Sequence, residues 1–323
     1  MQFQQDIISW YLVNKRDLPW RNTKDPYFIW LSEIILQQTR VAQGLPYFER
    51  FCQHFPTVFD LASADEQFVL NLWQGLGYYS RGRNLHQSAK HVVQNLNGEF
   101  PTSYMELLKL KGIGSYTAAA IASFSAGHRH AVVDGNVYRV LSRYFGVEEG
   151  IDTTVGKKAF AELADSLIQG VDPGIYNQAI MEFGAIQCKP SKPDCFNCPV
   201  NIGCWARKHN KVEELPRKTK SIKKKQRYFS YLVFQDQQQI LIKERTAGDI
   251  WQGLNDFPLI ESSARGNVLH DLSQIDLPIE DIKLIDSERH ILTHQILEIQ
   301  FFSVKNLNTT FIQNSDWKWV NID

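Results

Sequence analysis

Four cysteines within seventeen residues restrict what this chain can fold into more than any other feature. CKPSKPDCFNCPVNIGC, from Cys188 to Cys204, carries the spacing Cys-x6-Cys-x2-Cys-x5-Cys. Thiols this close in a cytoplasmic chain point to a metal centre rather than to disulfides. Zinc is the ordinary structural occupant of such loops, but its sites usually pair two Cys-x2-Cys knuckles, and only one is present here. Unequal spacing around a short loop suits a cube-shaped iron–sulfur cluster with a ligand at each corner. The spacing is not that of a ferredoxin, so electron transfer is not the first expectation. Cys52, in RFCQHF, stands alone and reads as a small core residue.

The code changes along the chain. As far as about His209, segments such as DEQFVLNLWQGLG, SAKHVVQNL and GKKAFAELADSLIQG place apolar residues at helix spacing. Residues 215–227 then hold seven basic side chains and no acid, and with Pro216 they read as part of an exposed basic linker over 209–226. Beyond it YFSYLVFQ, QQILIKERT, IKLIDSERHIL and ILEIQFFSVK are rich in β-branched and aromatic residues. The expectation is a helical domain over 1–208 and an α+β domain over 227–323, which suits a length of 323 residues. The net charge of zero hides a bias, with 27 Lys and Arg against 21 Asp and Glu up to residue 226, then 8 against 14. A mildly basic larger part is compatible with a polyanionic partner. No uncharged apolar run reaches membrane-spanning length, SYTAAAIASFSAG being too short. MQFQQDIISW has no basic leader ahead of an apolar block, so a cytoplasmic location without a membrane partner is expected.

Two carboxylates stand out. In FIWLSEIILQQTRV, Glu33 interrupts a run of large apolar residues. If Ser32 caps a helix, Glu33 falls in its first turn, where the dipole favours a negative charge. The alternative is a carboxyl held in an apolar wall, its pKa raised until it can donate a proton near neutral pH. In AVVDGNVYRVLSR, Asp134 reads as the cap of another helix. Between them LLKLKGIGSYTAAAIASFSAG reads as helix, glycine turn, helix, with Gly112 and Gly114 permitting a tight turn and the second helix offering unpaired N–H groups to an anion.

The cysteine spacing, placed just after a helical region, resembles the endonuclease III superfamily of DNA glycosylases, and the GIG turn resembles their helix-hairpin-helix at 107–125. SEIILQQTRV is nearly the adenine-glycosylase form of its helix, and the likeness runs on through LPWR, DPYFIW, GLGYYSRGRNLH and YNQAIMEFGA, covering most of residues 8–205. The chain is thereby identified as resembling the MutY-type adenine DNA glycosylases. That resemblance implies a 4Fe–4S cluster on Cys188, Cys195, Cys198 and Cys204 that is structural and aids DNA binding. It implies a hairpin around Lys111, Gly112 and Gly114 that grips a phosphate without reading sequence, often with a monovalent cation on its carbonyls. The expected substrate is duplex DNA with adenine opposite 8-oxoguanine or G, and the expected state is a monomer acting on the nucleoid of a bacterium.

The same resemblance assigns roles. Glu33 would protonate N7 of the extruded adenine and later activate water; Asp134, oriented by Asn136, would face the sugar as a stabilising carboxylate or a covalent partner. Tyr116 stands where relatives that also cut the backbone carry an attacking lysine, so a monofunctional enzyme is expected, with Tyr116 steadying the sugar-side charge. Trp20, Arg21 and Glu182 would line the adenine pocket, Gln38 would wedge into the duplex and Tyr78 would intercalate beside 8-oxoguanine. The last hundred residues resemble the Nudix-like recognition domain of the family, with DIWQGLNDFP matching its Gly-Leu segment but no Glu-rich magnesium box. The loop that meets 8-oxoguanine, usually Phe-Ser-His, reads Leu292, Thr293, His294, which keeps the hydroxyl and loses the aromatic ring. Two rivals carry other expectations. A bifunctional pyrimidine glycosylase with lyase activity would need a lysine at 116, and a non-enzymatic iron–sulfur DNA-binding redox sensor would need neither Glu33 nor Asp134.

Overall fold

The computed structural model describes residues 2–219, 224–245, 248–262, 282–292, 294–305 and 317–322. By internal contacts the chain divides into two compact units, 1–220 and 221–323. The first is helical: α1 (Gln2–Asn14), α2 (Pro26–Leu36), α3 (Val41–His54), α4 (Val58–Ser63), α5 (Glu66–Trp73) and α6 (Ser80–Asn95) lead to α7 (Tyr104–Leu107) and α8 (Ser115–Ala126). There follow α9 (Gly135–Phe145), α10 (Thr154–Leu167), α11 (Pro173–Glu182) and, past the cysteine loop, α12 (Trp205–Lys208). Between α11 and Cys188 the chain makes a π-helical turn, Phe183–Gln187.

Two apolar cores explain the layout. One gathers α2 through α6 around Trp30, Phe51 and Trp73; the other gathers α1 and α9 through α11 around Ile7, Phe160 and Phe183. Helix α8 belongs to both, giving Ala118, Ile121 and Ala122 to the first and Ala119 and Ala120 to the second. A helix pressed from both sides has no polar face, and small side chains let two lobes approach it closely. This is the physical use of SYTAAAIASFSAG, and no helix among the described residues is long and apolar enough to cross a membrane. Cys52 packs against the first core, as expected.

The stretch read as an exposed tether is pinned in its first half. Leu215 is 2% exposed, its carbonyl accepts from Arg143 Nε at 3.0 Å, and Lys211 and Arg217 both reach Glu148 at 2.7 Å. Thr219 donates to Asp152 from its backbone and its hydroxyl. The acids that neutralise this basic run come from the α9–α10 connection, far away in sequence, so local charge counting missed them.

The second unit is built on a mixed sheet of β1 (Lys225–Asp236), β2 (Gln239–Glu244), β3 (Asn255–Asp256), β4 (Leu259–Ser262), β5 (Ile282–Ile291), β6 (Gln295–Val304) and β7 (Lys318–Asn321). The order is β3-β2-β1-β6-β5, with β4 on β1 and β7 on β2; β1 and β6 run parallel from Lys225↔Gln295 to Phe234↔Val304, and the other pairs are antiparallel. Arg227, buried in this unit, forks onto Asp249 and Glu261, while Arg245 bonds Asp249, Asp256 and the Ile250 carbonyl. These pairs hold the Asp249–Gly253 turn, in which Trp251 adopts φ 60° and lies 5.8 Å from the His290 ring.

Candidate active site

Helix α2 begins earlier than Ser32. Asp25 caps it by accepting from Tyr27 N at 2.8 Å and Pro26 opens its first turn, a pairing that DPYFIW already displays. Ser32 lies inside the helix, its hydroxyl donating to Ile29 O at 2.7 Å. Glu33 is therefore in the last turn, where the dipole disfavours a carboxylate, and the capping reading is corrected. Its side chain is 7% exposed. Burial pushes its pKa up to about 7, Asp134's charge adds to the rise, and a hydrogen bond from Tyr116 and the charge of Arg21 oppose it.

Asp134 is a cap as well as a candidate catalytic group. Its Oδ1 accepts from Asn136 N at 2.9 Å and Val137 N at 2.8 Å, and its Oδ2 accepts from Asn136 Nδ2 at 2.7 Å. Burial raises its pKa, and these donors together with Arg139 restrain the rise. A carboxylate has about four acceptor positions, so Oδ2 keeps capacity for a further partner. The Tyr116 hydroxyl is driven well above its usual range by burial and by both carboxylates, and it stays a neutral donor.

Glu33, Tyr116 and Asp134 line one cleft of about 980 Å³, together with Trp20, Arg21, Gln38, Gly114, Asn136 and Glu182. Helix α2 brings Glu33, the start of α8 brings Tyr116, and the start of α9 brings Asp134. Glu182 is gripped by two arginines. Arg16 bonds it through Nε at 2.8 Å, Nη2 at 2.6 Å and its backbone N–H, and Arg21 through Nη1 at 3.0 Å and Nη2 at 2.7 Å. Burial alone would raise the Glu182 pKa, but the hydrogen bonds from Arg16 and Arg21 outweigh it and hold it at about 2. Gln38 stands in a left-handed turn just past α2, φ 56°. Gln37 reaches the hairpin, donating to Gly112 O at 3.5 Å, and Ser88 Oγ donates to Lys111 O.

Other candidates lie outside the cleft lining. Tyr78, φ 48°, is 43% exposed on the turn before α6, and Lys111 Nζ bonds Gln87 at 2.8 Å. In the second unit Leu292 packs against the core of Phe229, Tyr231, Leu297 and Ile299, and His294 is exposed with its carbonyl accepting from Lys225 N. Thr293 lies outside the described residues.

The four cysteines converge. Cys188, Cys195, Cys198 and Cys204 all line one small cavity with Val140, Phe183 and Val200. Arg143 Nη1 lies 3.5 Å from Cys188 Sγ and also bonds Lys189 O at 2.7 Å. Among the described residues no three His, Cys, Asp or Glu side chains are gathered to hold a single metal ion.

The HhH-GPD superfamily of base excision DNA repair proteins matches residues 31–165, and the NUDIX domain matches 230–323. The adenine DNA glycosylase of Buchnera aphidicola subsp. Baizongia pistaciae is 34% identical over 99% of this chain and 91% of its own. The chain belongs to the adenine DNA glycosylase family. The human adenine DNA glycosylase is 43% identical over 66% of this chain, which spans 41% of that longer protein. A thermostable thymine-DNA glycosylase of known structure is 30% identical with a TM-score of 0.59, covering 64% of this chain and 96% of its own. An endonuclease III–DNA complex, at 22% identity and a TM-score of 0.55, covers 65% of this chain and 95% of its own and shares the fold.

For a chain of the adenine DNA glycosylase family, two residues at this site were not foreseen. Arg16, inside the polar run NKRD, gave no local sign of its partner Glu182. Arg139 bonds Asn136 Oδ1 at 2.9 Å, Gly184 O at 2.6 Å and Cys188 O at 2.8 Å, joining the Asp134 cap to the start of the cysteine loop. A signal existed for it, because in GNVYRVLSRYF Arg139 shares a face with Arg143 among Val137, Val140 and Leu141.

Proposed function

We propose that this chain hydrolyses the N-glycosidic bond of adenine mispaired with 8-oxoguanine or G in duplex DNA, as a monofunctional, monomeric enzyme. The observation that carries the reading is the shared cleft, which Glu33, Tyr116 and Asp134 all line. Adenine enters after extrusion from the duplex. Glu33, its pKa raised toward neutrality by burial, donates to N7; the C1′–N9 bond breaks and its electron pair leaves with the base. Asp134 meets the positive charge on the sugar, as a carboxylate or by adding to it, while Asn136 fixes its orientation. Glu33, now ionised, activates water. Trp20, Arg21 and Glu182 form the base pocket, Gln38 and Tyr78 fill the gap in the stack, and the Gly112–Gly114 hairpin with Lys111 holds a phosphate and would be the place for a monovalent cation.

The cysteine cavity fits a 4Fe–4S cluster. Four thiols surround one space lined by apolar groups, and Arg143 stands beside Cys188, where a cation offsets the charge of thiolate ligands. When bound, the cluster would brace the loop that presents Lys189, Lys192, Arg207 and Lys208 toward DNA, and bond cleavage would stay with Glu33 and Asp134. In the second unit, Thr293 and His294 would meet 8-oxoguanine.

The decisive experiment incubates purified protein with duplexes holding A opposite 8-oxoguanine, A opposite G, or thymine glycol. Free adenine released fastest from the first is expected, with strand scission only after alkali. Scission without alkali would overturn the monofunctional reading, and thymine glycol release would favour the bifunctional rival. Leu292→Phe should raise the preference for 8-oxoguanine over G by roughly tenfold or less, the range of one apolar contact; an unchanged ratio would show that the missing ring does not matter.

A further inference from the structure

Arg81 lies near the start of α6, is 9% exposed, and spends its guanidinium on backbone rather than on any acid. Nη1 bonds the carbonyls of Ile34 and Ile35 at 3.0 Å and that of Gln37; Nη2 bonds Thr39 Oγ1 at 3.3 Å and the carbonyls of Leu76 and Gly77 at 3.2 Å. Four of these acceptors flank or end the turn that carries Gln38, and two belong to the turn that carries Tyr78. The ring of Trp73 lies under the guanidinium at 5.2 Å and that of Tyr78 at 5.8 Å, and Trp73 Nε1 donates to Gly77 O at 3.1 Å.

Both turns are conformationally costly. Gln38 and Tyr78 adopt φ of 56° and 48°, a region that non-glycine residues rarely occupy and that persists only where surroundings enforce it. Carbonyls at the end of a helix lack their usual i+4 partners, Ile34 O keeping only the Gln37 N–H at 3.4 Å, and a cation there completes the helix and answers its dipole. One planar fork satisfies both needs together, which a lysine, with a single nitrogen, cannot do.

We propose that Arg81 is a positioning residue that locks the Gln38 turn and the Tyr78 turn into one rigid jaw, so that the two side chains enter the duplex together. The proposal rests on the reading that Gln38 and Tyr78 are inserted into DNA.

The test uses full-length protein and a duplex with 2-aminopurine opposite 8-oxoguanine, whose fluorescence rises on extrusion, alongside single-turnover adenine release. Arg81→Lys should lower extrusion and release by roughly a hundredfold, the scale of a slight misplacement. In a Gln38→Ala, Tyr78→Ala background the same substitution should cost about twofold or less, because a residue that acts through two others has no effect once they are gone. An equal loss in both backgrounds, as a purely structural role would give, overturns the proposal, and so does wild-type extrusion by Arg81→Lys. A second measurement needs no change at Arg81: Gln38→Ala and Tyr78→Ala should cost no more together than the worse one alone, and fully multiplicative losses overturn the coupling. A wild-type protein that neither extrudes the analogue nor releases adenine would sink the functional reading itself, a result separate from either of these.

Discussion

Of the two carboxyls lining the cleft, Glu33 sits in the last turn of α2, whereas Asp134 sits ahead of the first turn of α9 and collects three donors from Asn136 and Val137. Glu33 is buried and Asp134 half-buried, and burial raises both pKa values. The difference lies in what opposes the rise. At a helix N-terminus the backbone N–H groups and the dipole favour the anion, whereas at a C-terminus they disfavour it. Which end of a helix holds a carboxyl thereby decides whether the backbone opposes or reinforces the effect of burial.

The largest way to break this comparison is to remove the acid. Glu33→Gln should cut adenine release by roughly a thousandfold, within the range for general acid catalysis, while binding of the mispaired duplex persists. A variant that still turns over within tenfold would end the assignment. Stability sharpens the contrast next. Burial pushes the Glu33 pKa up to about 7 from an ordinary value of 4.5, so its protonated form stabilises the fold fully below about pH 4.5 and that contribution is lost as pH rises through 7. At pH 8 Glu33→Gln should therefore be more stable than the parent by on the order of 3 kcal/mol, and the gap should close by pH 4.5; urea denaturation at the two pH values decides, and equal gaps would mean that Glu33 is not desolvated. The smallest effect is electrostatic. Single-turnover release should be flat below about pH 7 and fall above it as Glu33 loses its proton. Because the Asp134 charge raises the Glu33 pKa, Asp134→Asn should move that falling limb to lower pH in the residual activity. A limb that stays in place would mean the two carboxyls do not sense one another.

The helix and strand regions, the cysteine loop and both carboxyls were legible because each carries its signal locally: periodicity in DEQFVLNLWQGLG, spacing in the cysteines, an acid inside FIWLSEIIL. The start of α2 was misread although Asp25 and Pro26 announce it, since Ser32 beside Glu33 offered a competing cap. What stayed hidden were arginines whose acceptors are main-chain carbonyls or remote acids. Arg16 finds Glu182, Arg139 finds Gly184 and Cys188, and Arg217 finds Glu148, partners that only the folded chain brings near. Charge read along a sequence assigns such residues to the surface or to DNA, and packing reassigns them to the scaffold.

The π-helical turn Phe183–Gln187 joins Glu182, in the cleft, to Cys188, the first thiol of the loop. Losing one residue there would return the segment to ordinary helical pitch and swing everything beyond it by roughly 100° about the axis. This short span should accept exchanges of side chain far more readily than any change in length. A single-codon deletion would detach the cysteine loop from a pocket whose own residues remain intact.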